Sequence, residues 1–332
     1  MQKYTILIVG GAGYIGSHIV KMLAKDGHRV IVFDNLSTGF AKAARFGEKL
    51  IVGDLADEVI LDKVFTKYKF DAVMHFAAAS LVRESMENPK KYYRNNVSNT
   101  LNLLDTMVKY KVQNFVFSST AAIFGEPEYI PIDEKHSKNP INPYGVSKLM
   151  VERILEDYAS AYGLNSVCLR YFNACGADPE GELGEMHDPE THLIPLLLQV
   201  ASGRRDNVKI FGTNYPTPDG TCVRDYIHII DLCDAHRLAM QQLLNQKLKG
   251  NEVFNLGNGY GFSVKEVIDC AQAIVTKDLK QIDLVEAPRR PGDPAVLVAD
   301  SARAETILGW QPEYRKLDKM ISHAWNFEKK VK

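Results

Sequence analysis

An aliphatic run, Ile6–Val9, passes straight into Gly10-Gly11-Ala12-Gly13-Tyr14-Ile15-Gly16, and a helical pattern follows over Ser17–Lys25. Strand, glycine turn and helix in that order form the opening unit of a doubly wound parallel sheet that holds a dinucleotide. Gly10 permits the tight turn and Gly13 lets the backbone approach a pyrophosphate. Gly16 lets the helix pack on the strand. The free N–H groups where the helix begins, at Tyr14 and Ile15, then face the phosphates. Without the flanking strand and helix the same glycines would indicate only a turn.

Phe33-Asp34-Asn35 closes a second strand, with Asp34 standing 18 residues beyond Gly16. A carboxylate there accepts hydrogen bonds from ribose hydroxyls and repels a 2′-phosphate, so NAD is expected rather than NADP. The competing reading of Asp34 is a turn cap. Asp54, in Gly53-Asp54-Leu55, has two readings: a partner of the adenine amino group, or the N-cap of the next helix.

The strand–helix alternation continues. Apolar runs at Val30–Phe33, Leu50–Val52, Ala72–Phe76, Asn114–Ser118 and Val167–Tyr171 are separated by helical segments such as Ala56–Tyr68. Short, nearly continuous apolar strands are the mark of a parallel sheet buried on both faces. The fold class is therefore α/β, a Rossmann-type sheet followed by a smaller α/β substrate lobe. The texture changes after Gly176: Asp178–Glu190, Asn214–Gly220 and Arg289–Pro294 read as long loops of the kind that carry binding work. Residues 1–175 are expected to form the dinucleotide domain and 176–332 the substrate domain, with some later segments returning to the first.

Composition narrows the function. With 40 basic and 41 acidic residues the net charge is −1, so nothing marks a nucleic-acid binder, and an anionic substrate must be held locally. No apolar run reaches the ~18 residues of a membrane span, and no signal-peptide layout follows Met1, so a cytoplasmic location is expected. The 5 cysteines are odd in number and lack a CxxC pair, which predicts buried free thiols. The 9 histidines show no HExxH or similar spacing, and no metal is expected.

Tyr144-Gly145-Val146-Ser147-Lys148 puts a tyrosine and a lysine four apart, on one helix face. A phenol titrates near ~10 and is a poor base until a nearby cation stabilises its phenolate. Phe117-Ser118-Ser119-Thr120 ends the fifth strand, at the carboxyl end of a parallel sheet, where ligands sit. Thr120 can share a substrate oxygen with the tyrosine; its plain reading is a strand-end turn residue.

The segments GGAGYIG, FDN, GDL, HFAA, NNV, FSST, YGVSK and RYFNACG follow one another at spacings that resemble UDP-glucose 4-epimerases, extended short-chain dehydrogenases. The resemblance continues through Gly184-Glu185, FGTNYPTPDG, VRDYIHIIDL, NLGNG, RRPGDP and Ala299-Asp300, nearly the whole chain. It implies NAD as cofactor, a UDP-hexose as substrate, and inversion at C4. By the same resemblance Tyr144 is the base, Lys148 its electrostatic partner and ribose ligand, and Thr120 the hydroxyl helper where serine is common. Leu55, Phe76, Asn95 and Tyr171 lie near NAD. Asn173 contacts the substrate's phosphates, Phe211 lies by the uracil, and Arg224 and Arg290 clamp the pyrophosphate. Asp293 holds the UDP ribose. On composition alone those arginines would be solvated surface charges. Leu297 falls at the gate beside the sugar's C2 group, and leucine there predicts room for an N-acetyl substituent. The resemblance also implies a homodimer paired through helices over about Tyr92–Tyr110 and Tyr144–Tyr162, with Leu101, Leu104, Val108, Met150, Ile154 and Tyr158 as apolar positions that could equally face the chain's own core.

Two positions depart from the family. Ser80 stands where a lysine commonly meets the cofactor phosphates, so either NAD is held more weakly or that contact moves to Arg83. His192-Leu193 stands where Asn-Leu is common, which alters the substrate contact made there. Of the rival readings, a sugar-nucleotide 4,6-dehydratase needs an Asp and a Glu after the threonine; Ala121 and Ala122 transfer no proton. A non-catalytic NAD-sensing module would not need the Tyr144–Lys148 pair.

Overall fold

The computed structural model describes residues 2–278, 280–290 and 293–331. Met1, Leu279, Pro291, Gly292 and Lys332 lie outside the described residues, and so do two positions of the expected Arg289–Pro294 loop.

The first half runs β1 (Thr5–Val9), α1 (Tyr14–Lys25), β2 (Arg29–Asp34), β3 (Lys49–Val52), α2 (Glu58–Lys67), β4 (Ala72–His75), α3 (Val82–Glu87), α4 (Pro89–Tyr92), α5 (Asn99–Lys109), β5 (Asn114–Thr120), α6 (Pro143–Tyr162) and β6 (Asn165–Tyr171). All six expected strands are present. Alternate residues of each strand serve two cores. Ile6, Ile8, Val30 and Val32 pack toward α1, whereas Leu7, Val9, Ile31 and Phe33 pack with Leu61, Leu104 and Val151 of α2, α5 and α6. Both faces are covered, so these strands need no polar alternation.

The second half runs β7 (Asn173–Cys175), α7 (Leu193–Ala201), β8 (Val208–Phe211), β9 (Val223–His228), α8 (Ile229–Leu244), β10 (Asn251–Leu256), β11 (Gly261–Ser263), α9 (Val264–Val275), β12 (Leu284–Ala287), β13 (Val296–Leu297), α10 (Ala302–Leu308) and α11 (Leu317–Glu328). Strand β10 returns to the first sheet and completes a parallel order of β10-β6-β5-β4-β1-β2-β3. Its sequence, Asn-Glu-Val-Phe-Asn-Leu, does not read as a buried strand because it is an edge strand, half-buried at its start. Helix α8, which precedes β10, lies on α1, with Leu232, Ala239 and Leu243 in the same core as Ile6.

The remaining strands form a small sheet, β11-β9-β13 with β7 also on β9, and a β12-β8 pair. Helices α7, α9 and α11 pack around a separate apolar cluster that includes Leu197, Val267 and Trp325. The expected Asp178–Glu190 loop carries no regular element. All five cysteines are free, four of them buried and Cys270 half-buried. Among the described residues no helix is long and apolar enough to cross a membrane.

The apolar positions expected to pair subunits divide. Leu104 is fully buried in the chain's own core, and Ile154 and Tyr158 pack on it, so these three serve the monomer. Met150 is exposed.

Candidate functional site

The glycine turn is built as its spacing requires. Gly10 has a φ of +79°, and a Cβ on Gly16 would lie 2.1 Å from the Gly10 carbonyl, so any side chain there would force α1 off the strand. A Cβ on Gly13 would meet only the Gly10 carbonyl, at 3.5 Å, which leaves its outer side open. No side chain caps α1 at Gly13, so the amides beginning at Tyr14 and Ile15 are available to an anion. The turn is held from β2: the buried Asp34 carboxylate accepts from Ala12 N at 2.9 Å and from Leu36 N at 2.8 Å. It caps a turn, as its plain reading has it, and its remaining lone pairs are free for ribose hydroxyls.

Asp54 continues this edge. It accepts from Asn35 Nδ2 at 2.7 Å and from Ala56 N at 2.8 Å. It is not the N-cap of α2; Asp57 is, accepting from Val59 N and Ile60 N. Leu55 is buried below, and Phe76, just past β4, packs against His236 with the rings tilted and their centroids 4.9 Å apart. Asn95 lies in a π-helical turn, Tyr93–Ser98, and donates to Asn96 at 3.0 Å. The buried Asn96 is the tie that sequence reasoning passed over. It bonds Ala79 N, Ala79 O and the Ser147 hydroxyl, fastening the segment after β4 to α6. Ser80 is exposed, and Arg83 points into solvent, paired with Glu87 at 3.1 Å rather than turned toward the turn.

Helix α6 delivers the tyrosine and lysine. Asn142 caps it, accepting from Gly145 N at 2.8 Å, and Pro143 opens the first turn. Gly145 is required by closeness: a Cβ there would sit 2.4 Å from the Ala122 carbonyl, so only glycine lets α6 lie against the turn after β5. That contact sets Tyr144 beside Thr120. Burial pushes the Tyr144 phenol up, and the Thr120 hydroxyl pulls it down. Lys148 is 2 % exposed, and its ammonium donates to the Ser118 carbonyl at 2.7 Å. Burial lowers its pKa to about 7. The Ser118 hydroxyl bonds the Tyr171 hydroxyl. Tyr92 closes the far side, its ring edge-on to Tyr144 at 6.5 Å.

One turn after Lys148, Glu152 accepts from the Ser119 hydroxyl at 2.5 Å and from Arg170 Nε at 3.0 Å and Nη2 at 2.6 Å. The pair is buried, at 3 % and 2 % exposure. Neither residue shows a catalytic spacing, and only the assembled fold reveals that they lock α6 to β5 and β6.

The residues expected to hold the substrate fall in four places. Arg224 on β9 is ion-paired with Asp293, and Leu297 on β13 lies in register with Arg224. Leu297 also packs on the Ile123–Phe124–Ile132 cluster with Ala121, directly after Thr120. The Arg290 guanidinium lies over one face of the Phe211 ring, at 3.9 Å. Asn173 is half-buried in β7, beside Tyr171.

His192 and Leu193 begin α7, where His192 is the N-cap residue. His192 Nδ1 lies 2.5 Å from Glu185 Oε1, and His187 Nδ1 lies 2.9 Å from the same oxygen. Burial opposes charge on Glu185, yet it and the half-exposed His192 hold each other ionised: Glu185 is held below its usual range and His192 well above. The cleft beside this loop is lined by Ala12, Gly13, Tyr14, Thr38, Met186 and His187, so the loop forms the wall opposite the glycine turn. The spacing of this group, Glu-x-His-x-x-Glu-x-His, belongs to a loop and not to a helix face, so no helical ligand pattern marks it in the sequence.

A family model described as NAD dependent epimerase/dehydratase family matches residues 6–257. The chain is 52% identical over 324 residues to a UDP-glucose 4-epimerase of Halalkalibacterium halodurans, covering 98% of this chain and 95% of that one. It superposes with a TM-score of 0.92 on a UDP-glucose 4-epimerase from Bifidobacterium longum in complex with NAD+ and UDP, at 38% identity and 98% coverage of both chains. A UDP-Glc/GlcNAc 4-epimerase from Campylobacter jejuni matches with a TM-score of 0.83 and 43% identity, over 99% of this chain and 100% of that one. With the uncapped glycine turn, the Asp34 anchor and the buried tyrosine–lysine helix in one sheet, the chain belongs to the NAD dependent epimerase/dehydratase family.

Proposed function

We propose that the protein is a UDP-glucose 4-epimerase, interconverting UDP-glucose and UDP-galactose. The observation that carries this reading is the placement of Tyr144, through the Gly145–Ala122 contact, beside Thr120 and one helical turn from the buried Lys148. The relatives named above, one of them holding NAD+ and UDP, support the substrate class.

The cofactor fits the cradle. The α1 amides take the pyrophosphate, Asp34 the adenosine ribose, Asp54 the adenine edge, and Lys148 the nicotinamide ribose. When bound, NAD accepts a hydride from the sugar's C4 and later returns it. Tyr144 takes the C4 hydroxyl proton as the carbon is oxidised, and Thr120 donates to the same oxygen. In the chain alone, burial keeps the phenol protonated and Lys148 near neutrality. A cationic nicotinamide ring and a charged Lys148 favour the phenolate, so the base is armed by loading the site. The 4-ketose then presents its other face, and Tyr144 gives the proton back. The balance closes without added reductant. Arg224 and Arg290 hold the pyrophosphate, Asp293 the ribose, and Asn173 and His192 the phosphate side. In this reading residues 1–175, joined by β10 and α8, hold the dinucleotide, and the rest of 176–332 holds the sugar nucleotide.

Tyr144→Phe should lower kcat for UDP-galactose at least ~10²-fold, the scale of a positioned acid–base group. A variant with near-normal turnover would refute the assignment. Ala121 and Ala122 leave a dehydratase without its proton-transfer pair, and no 4-keto-6-deoxy product is expected. We also propose a cytoplasmic homodimer. Free thiols support the compartment, and exposed Met150 on α6 supports the interface. Light scattering that finds only a ~37 kDa monomer at micromolar concentration would refute the dimer.

A further inference from the structure

We propose that Asp225 is a positioning residue of the epimerase site, one that sets the span between the Arg224 clamp and the Thr120–Tyr144 pair. The proposal rests on the epimerase reading above. A sugar nucleotide held at Arg224 by its diphosphate must bring its C4 to Tyr144, so the distance between those two points decides whether the bound sugar is in reach.

Successive residues of a strand face opposite ways, and on β9 this divides two neighbouring charges. Arg224 turns to Asp293. Asp225 turns inward and is fully buried. Its carboxylate is held by three backbone amides: Oδ1 accepts from Asn258 N at 2.6 Å, and Oδ2 from Gly259 N and Ala299 N, both at 3.1 Å. Burial pushes its pKa up to about 6, while the three amides and Arg315 pull it down. A sealed carboxylate costs more to desolvate than an amide or a hydroxyl, so its use here marks a joint that only an acceptor fits.

The three amides belong to segments with different duties. Asn258 and Gly259 follow β10, the edge strand of the dinucleotide sheet. Ala299 follows β13, whose Leu297 lies in register with Arg224 in the small sheet. Asp225 therefore joins the two sheets at the strand that carries the clamp. From Ala299 the path continues to the reacting pair. Ala299 bridges Ile132, whose N donates to the Val298 carbonyl and whose O accepts from Asp300 N, both at 2.8 Å. Ile132 packs with Ile123 and Phe124, and Ala121 closes on the same cluster directly after Thr120. The Ala122 carbonyl then meets Gly145 of α6, beside Tyr144.

Gly257 shows how closely the joint is fitted. A Cβ there would overlap the Asp225 carboxylate and lie 2.6 Å from the Ala299 Cβ, so this turn must be bare for the carboxylate to reach Ala299.

The test uses the protein with its bound cofactor, UDP as binding probe and UDP-galactose as substrate. Asp225→Asn keeps the side chain's shape, but whichever way its amide turns it sets an N–H against Asn258 or against Gly259 and Ala299. Gly257→Ala leaves the carboxylate in place and wedges it away from Ala299. In both variants the Kd for UDP should stay within ~3-fold of wild type while kcat at saturating UDP-galactose falls ~10–10²-fold, the scale of a reacting group misplaced by about an ångström. Calorimetry and turnover are compared at a temperature where circular dichroism shows the variant folded, so a role in stability alone leaves kcat unmoved. Unchanged kcat in a folded variant overturns the proposal, and so does an equal loss of UDP affinity and kcat, which would place the damage at the clamp itself. If one variant fails to fold, the other decides; failure of both to fold at low temperature also overturns it. A wild type that leaves UDP-galactose unchanged refutes the epimerase reading, and this proposal with it, whereas the variant results bear on Asp225 alone.

Discussion

Removing Glu152 should loosen the helix that carries Tyr144. Its carboxylate takes charge-assisted or hydroxyl hydrogen bonds from three donors, the Ser119 hydroxyl at 2.5 Å, Arg170 Nε at 3.0 and 3.2 Å and Arg170 Nη2 at 2.6 Å, with both side chains nearly sealed from water. Arg170 also has one nitrogen, Nη1, with no partner, so it has no reserve acceptor when the carboxylate goes. Glu152→Ala leaves a buried guanidinium uncompensated, a loss of ~3–5 kcal/mol. The orphaned Ser119 hydroxyl adds ~1 kcal/mol. Against a typical total of ~5–15 kcal/mol, the variant should be severely destabilised yet foldable at low temperature. Replacing the whole pair, as Glu152→Leu with Arg170→Met, removes both charges and keeps apolar volume, and should recover most of that loss. Urea unfolding at fixed protein concentration, compared through midpoints at constant m-value, reads both effects. A single-variant cost below ~1 kcal/mol, or a double variant whose cost equals the sum of the singles, would refute the view that the pair acts as one unit.

The remaining predictions concern the site itself. Leu297 packs beside Ala121 and pairs with Arg224, so the wild type should epimerise UDP-N-acetylglucosamine as well as UDP-glucose. The acetyl methyl gains at most ~0.8 kcal/mol from the leucine. Leu297→Tyr should abolish the N-acetyl activity and spare the plain hexose; equal loss of both would refute the gate. Lys148 ties stability to pH in the cofactor-free chain. Its pKa falls from 10.5 when unfolded to about 7 when folded, so between those values the unfolded chain holds a proton that the folded chain lacks. Stability from this group is therefore low at pH 7 and rises toward pH 10.5, by no more than ~1.4 kcal/mol per pH unit. The unfolding free energy of wild type minus Lys148→Met should rise from pH 7 to pH 9, and a flat difference would refute the buried neutral lysine.

The legible parts of this protein are those where local sequence and burial agree. Ile6–Val9 and Val30–Phe33 read as strands because both faces of the sheet are covered, and Gly10 and Gly16 read as a turn because backbone geometry admits no other residue. Tyr144 and Lys148 share a helix face by their spacing, but that spacing is common by chance, and their roles come from the resemblance to the family. The hidden parts depend on distant partners. Asn251–Leu256 has polar residues that pair only after the chain has returned, with Asn255 donating to the Ile132 carbonyl at 2.9 Å. Asn96 and Glu152 look like ordinary surface polar residues until the fold buries them among groups that need partners. Asp54 was open between two roles, and the cap role passed to Asp57 because the helix starts later than its apolar pattern suggests.

The place of β10 also bears on how the chain is made. Residues 5–171 contain six strands of the sheet, but the flank of β6 stays open until Asn251–Leu256 arrives, about eighty residues later. While the ribosome lengthens the chain through that interval, β6 presents a row of unsatisfied amides and carbonyls on a flat apolar strand, a template for pairing with any neighbouring nascent chain. A fragment ending before Asn251 would keep that template permanently. Its failure in solution would be association through β6, even with the glycine turn and the tyrosine–lysine helix fully encoded.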